Sequence, residues 1–327
     1  MSSALKPDSR IFVAGHRGLA GGAIVRELQG HGYRSLLTRS HSELDLQDPA
    51  ATLRFFEAER PQIVFLAAAK VGGIVANDSY PVDFLMRNLL IQASVFTAAH
   101  RVGVDRLVFL ASSCMYPRDC EQPMRESHLL TGPLEPTNQP YAVAKIAGVE
   151  MCHAYNRQFG TRYLSVTPAG LYGPGDNYDP ETSHVLPALI RKMHQARIAS
   201  QQEVVLWGSG RPRREFLHCR DMARAVLFLA QLDDARYDAL FDASRMPLIN
   251  VGTGQDQSIR ELAEIVAAVV GYRGRFVQDT SKPDGMPRKL LDASRLAALG
   301  WQPVIGLREG IAQAYQDFVQ RASNDID

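Results

Sequence analysis

Two side chains that stand four residues apart, Tyr141 and Lys145, have the types and the spacing for proton-transfer chemistry. In a helix, residues at i and i+4 lie on one face, so a phenol and an ammonium at this spacing can be aimed at one substrate atom. An unperturbed phenol has a pKa of about 10, and a neighbouring cation lowers it toward neutrality. The same spacing also occurs on the surface of ordinary amphipathic helices. The pair therefore needs support from the rest of the chain.

The segment that carries this pair favours a helix. No proline occurs between residues 142 and 159, so the backbone there can hydrogen-bond without interruption. Apolar side chains form a stripe along this segment, at Val143, Ile146, Ala147, Val149 and Met151. We therefore predict a helix over residues 142–159.

A glycine-rich turn lies near the start of the chain. The apolar run Ile11–Ala14 predicts a buried strand, and Gly15, Gly18 and Gly21 follow it directly. Such a turn allows a pyrophosphate to approach the backbone and the helix N-terminus. The spacing differs from the usual Gly-x-Gly-x-x-Gly, and glycine-rich turns also have purely structural uses. Its place between a strand and a helix predicted to reach about His31 favours a dinucleotide site.

The end of the second predicted strand bears on the choice of cofactor. NAD-preferring proteins usually place an acid after this strand, which we predict at residues 35–38, but here Arg39 and Ser40 follow. Together with Arg17 in the glycine turn, this favours NADP over NAD, because an arginine can pair with a 2′-phosphate. The alternative is a solvated loop with ordinary arginines, and Glu43 and Asp45 lie close by.

Further apolar runs alternate with helical patterns. Strands are predicted at residues 62–67, 106–111 and 163–167, which indicates a right-handed, doubly wound parallel sheet of the Rossmann type. The strand at 106–111 delivers Ser112, Ser113 and Cys114 to the carboxyl edge of that sheet, where ligands bind. The alternative for Cys114 is a buried, inert cysteine.

The glycine- and proline-rich stretch 168–177 marks a change of organisation. We expect an NADP-binding domain at 1–167, to which 216–250 returns in part, and a smaller substrate-binding α/β region at 168–215 and 251–327. In the second region, Arg211, Arg213 and Arg214 lie near Trp207, where they would hold a diphosphate and stack a base. A run of arginines is also common on a solvated face.

The bulk composition restricts the partners. Lys and Arg total 36 against 35 for Asp and Glu, a formal charge of +1, so no overall affinity for nucleic acid or membranes is expected. The four cysteines show no Cys-x-x-Cys spacing and the nine histidines no ligand spacing, so no metal site is expected. With a polar start at residues 1–10 and no apolar run of about 18 residues, we expect a soluble, cytoplasmic protein.

Taken together, these residues resemble the extended branch of the short-chain dehydrogenase/reductase family. Within that branch the chain is similar to enzymes that epimerise and reduce GDP-4-keto-6-deoxy-D-mannose to GDP-L-fucose. The resemblance spans nearly the whole chain and is carried by residues 14–18, 67–77, 112–114, 134–148, 171–174, 183–185, 207–210, 214–218 and 282–285.

The resemblance implies a role for each catalytic position. Tyr141 would protonate the C4 oxygen during hydride transfer from NADPH, Lys145 would lower the pKa of Tyr141 and hold the nicotinamide ribose, and Ser112 would hydrogen-bond the sugar oxygen. Cys114 and His184 would perform the epimerisation. A thiol and an imidazole suit this step, because both can be tuned to exchange protons near neutral pH.

The resemblance also implies NADP(H) as cofactor, a GDP-linked keto-sugar as substrate, and a homodimer formed through the helix of Tyr141 and its neighbour. The implied substrate-binding residues are Lys192, Trp207, Arg214 and Asp284. The implied cofactor-binding residues are Gly15, His16, Arg17, Gly18, Leu19, Ala20, Gly21, His41, Asp45, Leu46, Leu110, Ala111, Ser112, Ser113, Lys145, Pro168, Ala169, Gly170, Leu171 and His184.

The chain departs from the family pattern at two places that matter for specificity. Ala169 and Gly170 stand where the family has a polar residue and an asparagine, which removes an amide near the sugar. His41 stands where the family often has arginine in the 2′-phosphate loop. Two alternatives therefore remain: a reductase or epimerase-reductase for a related GDP-keto-sugar such as a deoxyheptose, and a non-catalytic NADP-binding protein on the same fold.

Overall fold

Six parallel strands form the central sheet, in the order β2-β1-β3-β4-β5-β9. This computed structural model describes residues 5–180, 182–242, 245–282 and 284–324. Every strand of the sheet except β2 is buried along its length, as expected for a parallel sheet covered on both faces. The strands are β1 (Ile11–Ala14), β2 (Leu36–Leu37), β3 (Ile63–Leu66), β4 (Arg106–Leu110), β5 (Tyr163–Pro168) and β9 (Leu248–Val251).

Helices cover the two faces of this sheet. In one layer α1 packs against α7, and in the other α4 packs against both α2 and α5. The strand order and the alternation of strands with helices confirm the predicted doubly wound Rossmann-type fold. These helices are α1 (Leu19–Gly30), α2 (Pro49–Glu59), α3 (Ile74–Ser79), α4 (Pro81–Val102), α5 (Gln139–Phe159) and α7 (Cys219–Gln231).

Most local predictions in this part of the chain are confirmed. The helix over 142–159 is present and begins three residues earlier, in α5. The strand at Ile11–Ala14 has the predicted bounds. The second strand is shorter than predicted, with only Leu36–Leu37 paired. The short helix α3 was not predicted, because a single turn after the glycines at 72 and 73 carries no apolar periodicity.

A second, smaller core lies beyond β5. Strands β10, β8 and β12 form a small sheet in that order with β6 paired to β8, and β7 pairs with β11. Helices α6, α9 and α11 bury a common apolar cluster there, which includes Ile190, Leu206, Val266 and Ile311. The elements are β6 (Gly170–Tyr172), α6 (Val185–Ile198), β7 (Glu203–Trp207), β8 (Arg213–His218), α8 (Asp234–Asp238), β10 (Asp256–Ser258), α9 (Ile259–Val270), β11 (Arg275–Asp279), β12 (Arg288–Lys289), α10 (Ser294–Ala298) and α11 (Leu307–Asn324).

The chain passes between the two cores more than once. After β8 it forms α7 against α1 and then β9, whose Leu248 is the register partner of Ser165 in β5. The boundaries expected for the two regions stay predictions. Pro283 of the 282–285 turn and the first four residues of the polar start lie outside the described residues. Among the described helices, none combines the length and the apolar character needed to cross a membrane.

A buried arginine fixes the start of β4, the strand whose other end carries Ser112 and Cys114. Arg106 is fully buried. Its guanidinium donates to the carbonyl oxygens of Ala230 (2.8 Å) and Leu232 (2.7 Å) and to the carboxylate of Asp234 (2.9 Å). It also lies 3.9 Å from the centre of the Tyr237 ring. Arg106 thus joins the sheet to the segment after α7.

Replacing this arginine should destabilise the fold. We expect Arg106→Ala to lower the free energy of unfolding by about 3 kcal/mol, because two buried carbonyl groups lose their donor. Urea denaturation followed by circular dichroism measures the change. The control is Arg260→Ala, which removes an exposed i,i+4 pair with Glu264 and should cost less than about 0.5 kcal/mol. Equal effects of the two changes would contradict a stabilising role for the Arg106 contacts.

Candidate active site

Helix α5 places Lys145 against the end of β4. The Lys145 ammonium donates a hydrogen bond of 2.7 Å to the carbonyl oxygen of Leu110. Close packing makes this contact possible: a Cβ atom at Gly148 would lie 2.4 Å from the ring of Phe109, so only glycine fits there. The Lys145 ammonium also lies 5.7 Å from the centre of the Tyr141 ring. The phenol and the ammonium therefore lie together, as the i,i+4 spacing predicted.

Burial dominates the ionisation of both groups. It raises the pKa of Tyr141 above the ordinary value for a phenol, and a hydrogen bond with the Ser112 side chain only partly opposes this effect. Burial also lowers the pKa of Lys145 to about 8. The expected lowering of the tyrosine pKa is therefore not found in this structure, since desolvation dominates. The phenol is held in its protonated form, which suits a proton donor.

The thiol of Cys114 lies within the same group of side chains. The Ser112 hydroxyl accepts a hydrogen bond from the Cys114 backbone amide, at 3.5 Å, and caps a short turn at Ser113–Met115. Cys114 is 7% exposed, and burial raises the pKa of its thiol. The charges that act on this thiol include those of Lys145 and Lys289, and Cys114 in turn acts on Tyr141. The sequence-predicted Ser112, Cys114, Tyr141 and Lys145 therefore form one cluster at the end of β4.

His184 comes from another part of the chain. It is the residue before α6, and its side chain is exposed. The protein around it still desolvates the ring enough to lower its pKa. Among the described residues, no hydrogen bond joins His184 to Cys114 or Tyr141. The loop before it is close to α3, because the Gly73 amide donates to the carbonyl oxygen of Thr182.

The glycine turn has the shape required by a dinucleotide. Gly15 has a φ angle of +87°, and a Cβ atom on Gly21 would lie 2.2 Å from the Gly15 carbonyl oxygen, so the turn and α1 pack too closely for other residues. No side chain caps the N-terminus of α1. Nδ1 of His16 is buried without a hydrogen-bond partner among the described residues. Unpaired donors at a helix N-terminus fit a pyrophosphate.

The loop after β2 lies next to this turn. Arg39 is bound to Glu59 at 2.6 Å and lies 5.2 Å from the centre of the Phe55 ring, so its guanidinium is already paired. Arg17 is exposed and has no ion pair among the described residues, which leaves it available to a 2′-phosphate. His41 lies 3.6 Å from the carboxylate of Asp45. Of the two arginines noted in the sequence, only Arg17 is therefore available.

The remaining cofactor positions line the carboxyl edge of the sheet. Leu110 ends β4 and Ala111 follows it, and Pro168 ends β5. Ala169 is buried, while Gly170 is exposed and presents no side chain. The positions Gly18, Leu19, Ala20, Leu46, Ser113 and Leu171 lie in the turns and elements next to this edge.

The predicted substrate-binding residues gather around Trp207. This side chain is 56% exposed, and the Lys192 and Lys282 ammonium groups lie 5.1 Å and 5.6 Å from its ring. Asp284 accepts hydrogen bonds from the backbone amide (2.6 Å) and the hydroxyl (2.7 Å) of Ser209, which fixes the turn after Trp207. An exposed indole next to two cations can stack a base and attract an anionic nucleotide.

The arginine cluster divides into two kinds of residue. Arg213 donates to the Asp256 carboxylate at 2.8 Å and pairs with Glu261 at 3.3 Å, so it stabilises the small sheet. Arg214 is largely surrounded by protein and is influenced by the charge of Asp284. Arg214 is therefore the better candidate for a diphosphate ligand.

Sequence reasoning missed two lysines at this site. Lys282 precedes Asp284 in the turn that the sequence analysis singled out, so the turn motif could have indicated it. Lys289 is brought beside Cys114 by the pairing of β12 with β8, in which Lys289 is the register partner of Arg214. No local pattern marks Lys289.

Comparisons with known proteins agree with this geometry. Residues 11–239 match the model of the NAD dependent epimerase/dehydratase family. The chain is 52% identical over 313 residues to GDP-L-fucose synthase of Escherichia coli, covering 95% of this chain and 97% of that protein. It is 51% identical to GDP-L-fucose synthase 1 of Arabidopsis thaliana, covering 99% and 97%.

A solved structure is also similar. The GDP-mannoheptose C4 reductase of Campylobacter jejuni with NADP bound superposes with a TM-score of 0.88 at 36% identity, covering 96% of this chain and 99% of that one. The central sheet, the glycine turn and the relatives that match nearly the whole chain all indicate the same family. The chain belongs to the NAD dependent epimerase/dehydratase family and, within it, to the GDP-L-fucose synthases.

Proposed function

We propose that this enzyme converts GDP-4-keto-6-deoxy-D-mannose to GDP-L-fucose, with NADPH as the reductant. Two relatives that are 52% and 51% identical over nearly the full chain are GDP-L-fucose synthases. The observation that carries the proposal is the position of Cys114 beside Tyr141, Ser112 and Lys145. A simple keto-reductase needs the tyrosine, the serine and the lysine but has no use for a thiol.

The first half of the reaction inverts the sugar at C3 and C5. The 4-keto group acidifies these C–H bonds, so a base can take the proton from one face while the bonding electrons move into an enolate with its charge on the C4 oxygen. An acid on the opposite face then returns a proton and a new C–H bond forms. Cys114 and His184 are the base and the acid. One proton leaves and one arrives at each carbon, and nothing is oxidised.

The second half reduces the keto group. Bound NADPH supplies a hydride to C4. Tyr141 gives its phenolic proton to the C4 oxygen, and its raised pKa keeps that proton in place until the oxygen becomes negative. Ser112 hydrogen-bonds the same oxygen. Lys145, anchored to the Leu110 carbonyl, holds the nicotinamide ribose.

The cofactor and the nucleotide part of the substrate are bound by separate parts of the chain. The glycine turn at Gly15, Gly18 and Gly21 receives the cofactor pyrophosphate, and Arg17 pairs with the 2′-phosphate. Trp207 stacks the guanine, while Lys192 and Arg214 neutralise the diphosphate. Asp284 supports this end by fixing the turn at Ser209. Residues 168–215 and 251–327 act as the substrate-binding region.

A related substrate is the second candidate. Gly170 is exposed and presents no side chain where the family pattern has an amide, and a Cβ atom there would lie 2.9 Å from the Glu215 carbonyl oxygen. A similar structure is that of a reductase acting on a GDP-mannoheptose. A GDP-4-keto-heptose, which has a longer side arm at C5 and would not need this amide, is therefore the second candidate substrate.

We propose a homodimer formed through α4 and α5. On α4, Val82, Met86 and Leu90 recur every four residues and are 69%, 45% and 40% exposed, and Val143 on the neighbouring α5 is 41% exposed. These four residues form an apolar stripe on two packed helices, which is typical of an interface. The four cysteines are free, which fits a reducing cytoplasm.

The activity can be tested in heavy water. Incubating the protein with GDP-4-keto-6-deoxy-D-mannose and NADPH in D2O should oxidise the cofactor and place solvent deuterium at both C3 and C5, as measured by NMR of the product. Reduced product without this deuterium would contradict the epimerase half. The same assay with a GDP-4-keto-heptose gives the competing kcat/KM, and a higher value for the heptose would favour the second candidate.

Single substitutions should impair epimerisation and reduction separately. We expect Cys114→Ser to slow the overall reaction by at least about 100-fold, because a serine hydroxyl loses its proton far less readily than a thiol. It should reduce an already epimerised GDP-keto-sugar at a nearly unchanged rate.

Tyr141→Phe should give the opposite result, with hydride transfer about 100-fold slower or worse and deuterium still entering C3 and C5. NADPH absorbance measures the reduction and mass spectrometry the exchange. If either variant lost both activities equally, the division of labour would be wrong.

The apolar stripe can be tested independently of catalysis. We expect Met86→Glu to convert a dimer to a monomer, because a carboxylate would be buried without a partner in the interface. Light scattering after gel filtration measures the mass. The matched control is Ile198→Glu, which places the same charge on an apolar side chain that is 67% exposed at the end of α6, and should leave the mass unchanged. A Met86→Glu variant that stayed dimeric would exclude this face as the interface.

A further inference from the structure

The two-residue strand β12 is hydrogen-bonded to residues 122–124, in the segment that follows the turn with Cys114. The Met124 amide donates to the Leu290 carbonyl oxygen at 2.7 Å, and the Leu290 amide donates to the Gln122 side chain at 2.9 Å. On the other side, the Leu291 amide donates to the buried carboxylate of Glu215 at 2.8 Å. These hydrogen bonds hold the backbone next to Lys289 from two directions. The position of Lys289 relative to Cys114 is therefore set by the fold.

Lys289 is a largely buried cation without a fixed partner. Among the described residues its ammonium has no hydrogen bond and no ion pair within 4.0 Å. The charged and titratable groups that act on it are Cys114, Arg214, Glu135 and Cys120, and burial lowers its pKa. A buried ammonium beside an arginine is unfavourable unless an anion forms close to it. The Lys289 ammonium therefore stabilises an anion that comes close to it.

The sulfur of Cys114 is where such a charge forms. Whether Cys114 removes the sugar proton or supplies one, it must pass through the thiolate at one stage of each proton exchange. Burial raises the pKa of the thiol and so disfavours the thiolate. A nearby cation stabilises a buried thiolate.

Four groups interact electrostatically or by hydrogen bonding with Cys114: Lys145 and Tyr141 from α5, Ser112 from the turn after β4, and Lys289 from β12. Lys289 has the larger electrostatic effect of the two lysines. Lys145 is already hydrogen-bonded to Leu110.

We propose that Lys289 acts through Cys114 as a positioning residue, its ammonium balancing the negative charge that the sulfur carries during inversion at C3 and C5. The inference rests on the proposed epimerase function. It assigns the two lysines to different halves of the reaction: Lys145 to reduction with Tyr141, and Lys289 to epimerisation with Cys114. The proton balance is that of the epimerisation itself, since Lys289 keeps its own proton throughout.

The test follows the reactivity of one thiol against pH. The protein is treated with iodoacetamide over a range of pH values, and the alkylation of the peptide that contains Cys114 is measured by mass spectrometry, separately from those of Cys120, Cys152 and Cys219. In Lys289→Met we expect the pH profile of Cys114 to move upward by about one unit, so that alkylation below the midpoint is about tenfold slower. Lys289→Arg should keep most of the wild-type profile, because it keeps the charge.

The neighbouring residue of the same strand offers a matched control. Arg288 points to the other face of β12 and pairs with Asp256. Arg288→Met removes a cation one residue away and should leave the Cys114 profile where it is in the wild type. Cofactor binding, followed by NADPH fluorescence, checks that each variant is folded. If Lys289→Met does not fold, Lys289→Gln replaces it in the same comparison.

A second measurement links the thiol to turnover. In Lys289→Met, deuterium exchange at C3 and C5 should fall at least tenfold, while reduction of an already epimerised GDP-keto-sugar stays within about threefold of the wild type. An unchanged Cys114 profile in the folded variant would overturn the proposal, and so would an equal loss of exchange and reduction. Because the alkylation assay needs no sugar, a failure of the proposed substrate would leave its result intact and distinguishable.

Discussion

The hydrogen bond from the Lys145 ammonium to the Leu110 carbonyl oxygen is the contact on which the active site depends. It joins α5 to the last residue of β4, where the turn with Ser112 and Cys114 begins. The contact requires the helix to lie almost on the strand, which is why glycine stands at position 148 against Phe109. At the other end of the same strand, Arg106 fixes the sheet to the segment after α7. These contacts fix the positions of the proposed catalytic groups on α5 and at the end of β4.

Desolvation sets the chemistry of the groups held in this way. Tyr141 keeps its proton because burial raises its pKa, and the same cause makes the Cys114 thiol reluctant to ionise. Burial alone therefore keeps the Tyr141 phenol protonated for the reduction step. A thiol that must exchange protons needs a cation close to it. Two lysines act on this thiol: Lys145 on the helix and Lys289 on β12. A single buried cluster can in this way serve two kinds of proton transfer.

The smaller core matters to the site because it brings distant segments to the same place. Glu215 in β8 is nearly fully buried, and its carboxylate accepts hydrogen bonds from the backbone amides of Thr253, Gly254 and Leu291. This one side chain ties the loop after β9 and the segment after β12 to the small sheet. The turn at Ser209, fixed by Asp284, presents Trp207 outward from the same region. The substrate end of the site is thus a set of loops anchored by buried or paired carboxylates.

Local spacing in the sequence determined much of the fold and part of the site. The strand Ile11–Ala14 with its glycine turn and the helix that carries Tyr141 and Lys145 could be predicted because each depends on neighbours within a few residues. The roles of Cys114, His184 and the substrate-binding residues came from resemblance to a family and not from spacing.

Only the tertiary structure decided which charged groups meet. Arg39 and Arg17 look equivalent in the sequence, yet Glu59 binds the first and leaves the second available. The sequence also gives no sign that burial dominates the pKa of Tyr141. Lys289 is the clearest case, since it reaches Cys114 only through the pairing of β12 with β8. Desolvation and strand pairing depend on residues far apart in the chain, and no local pattern encodes them.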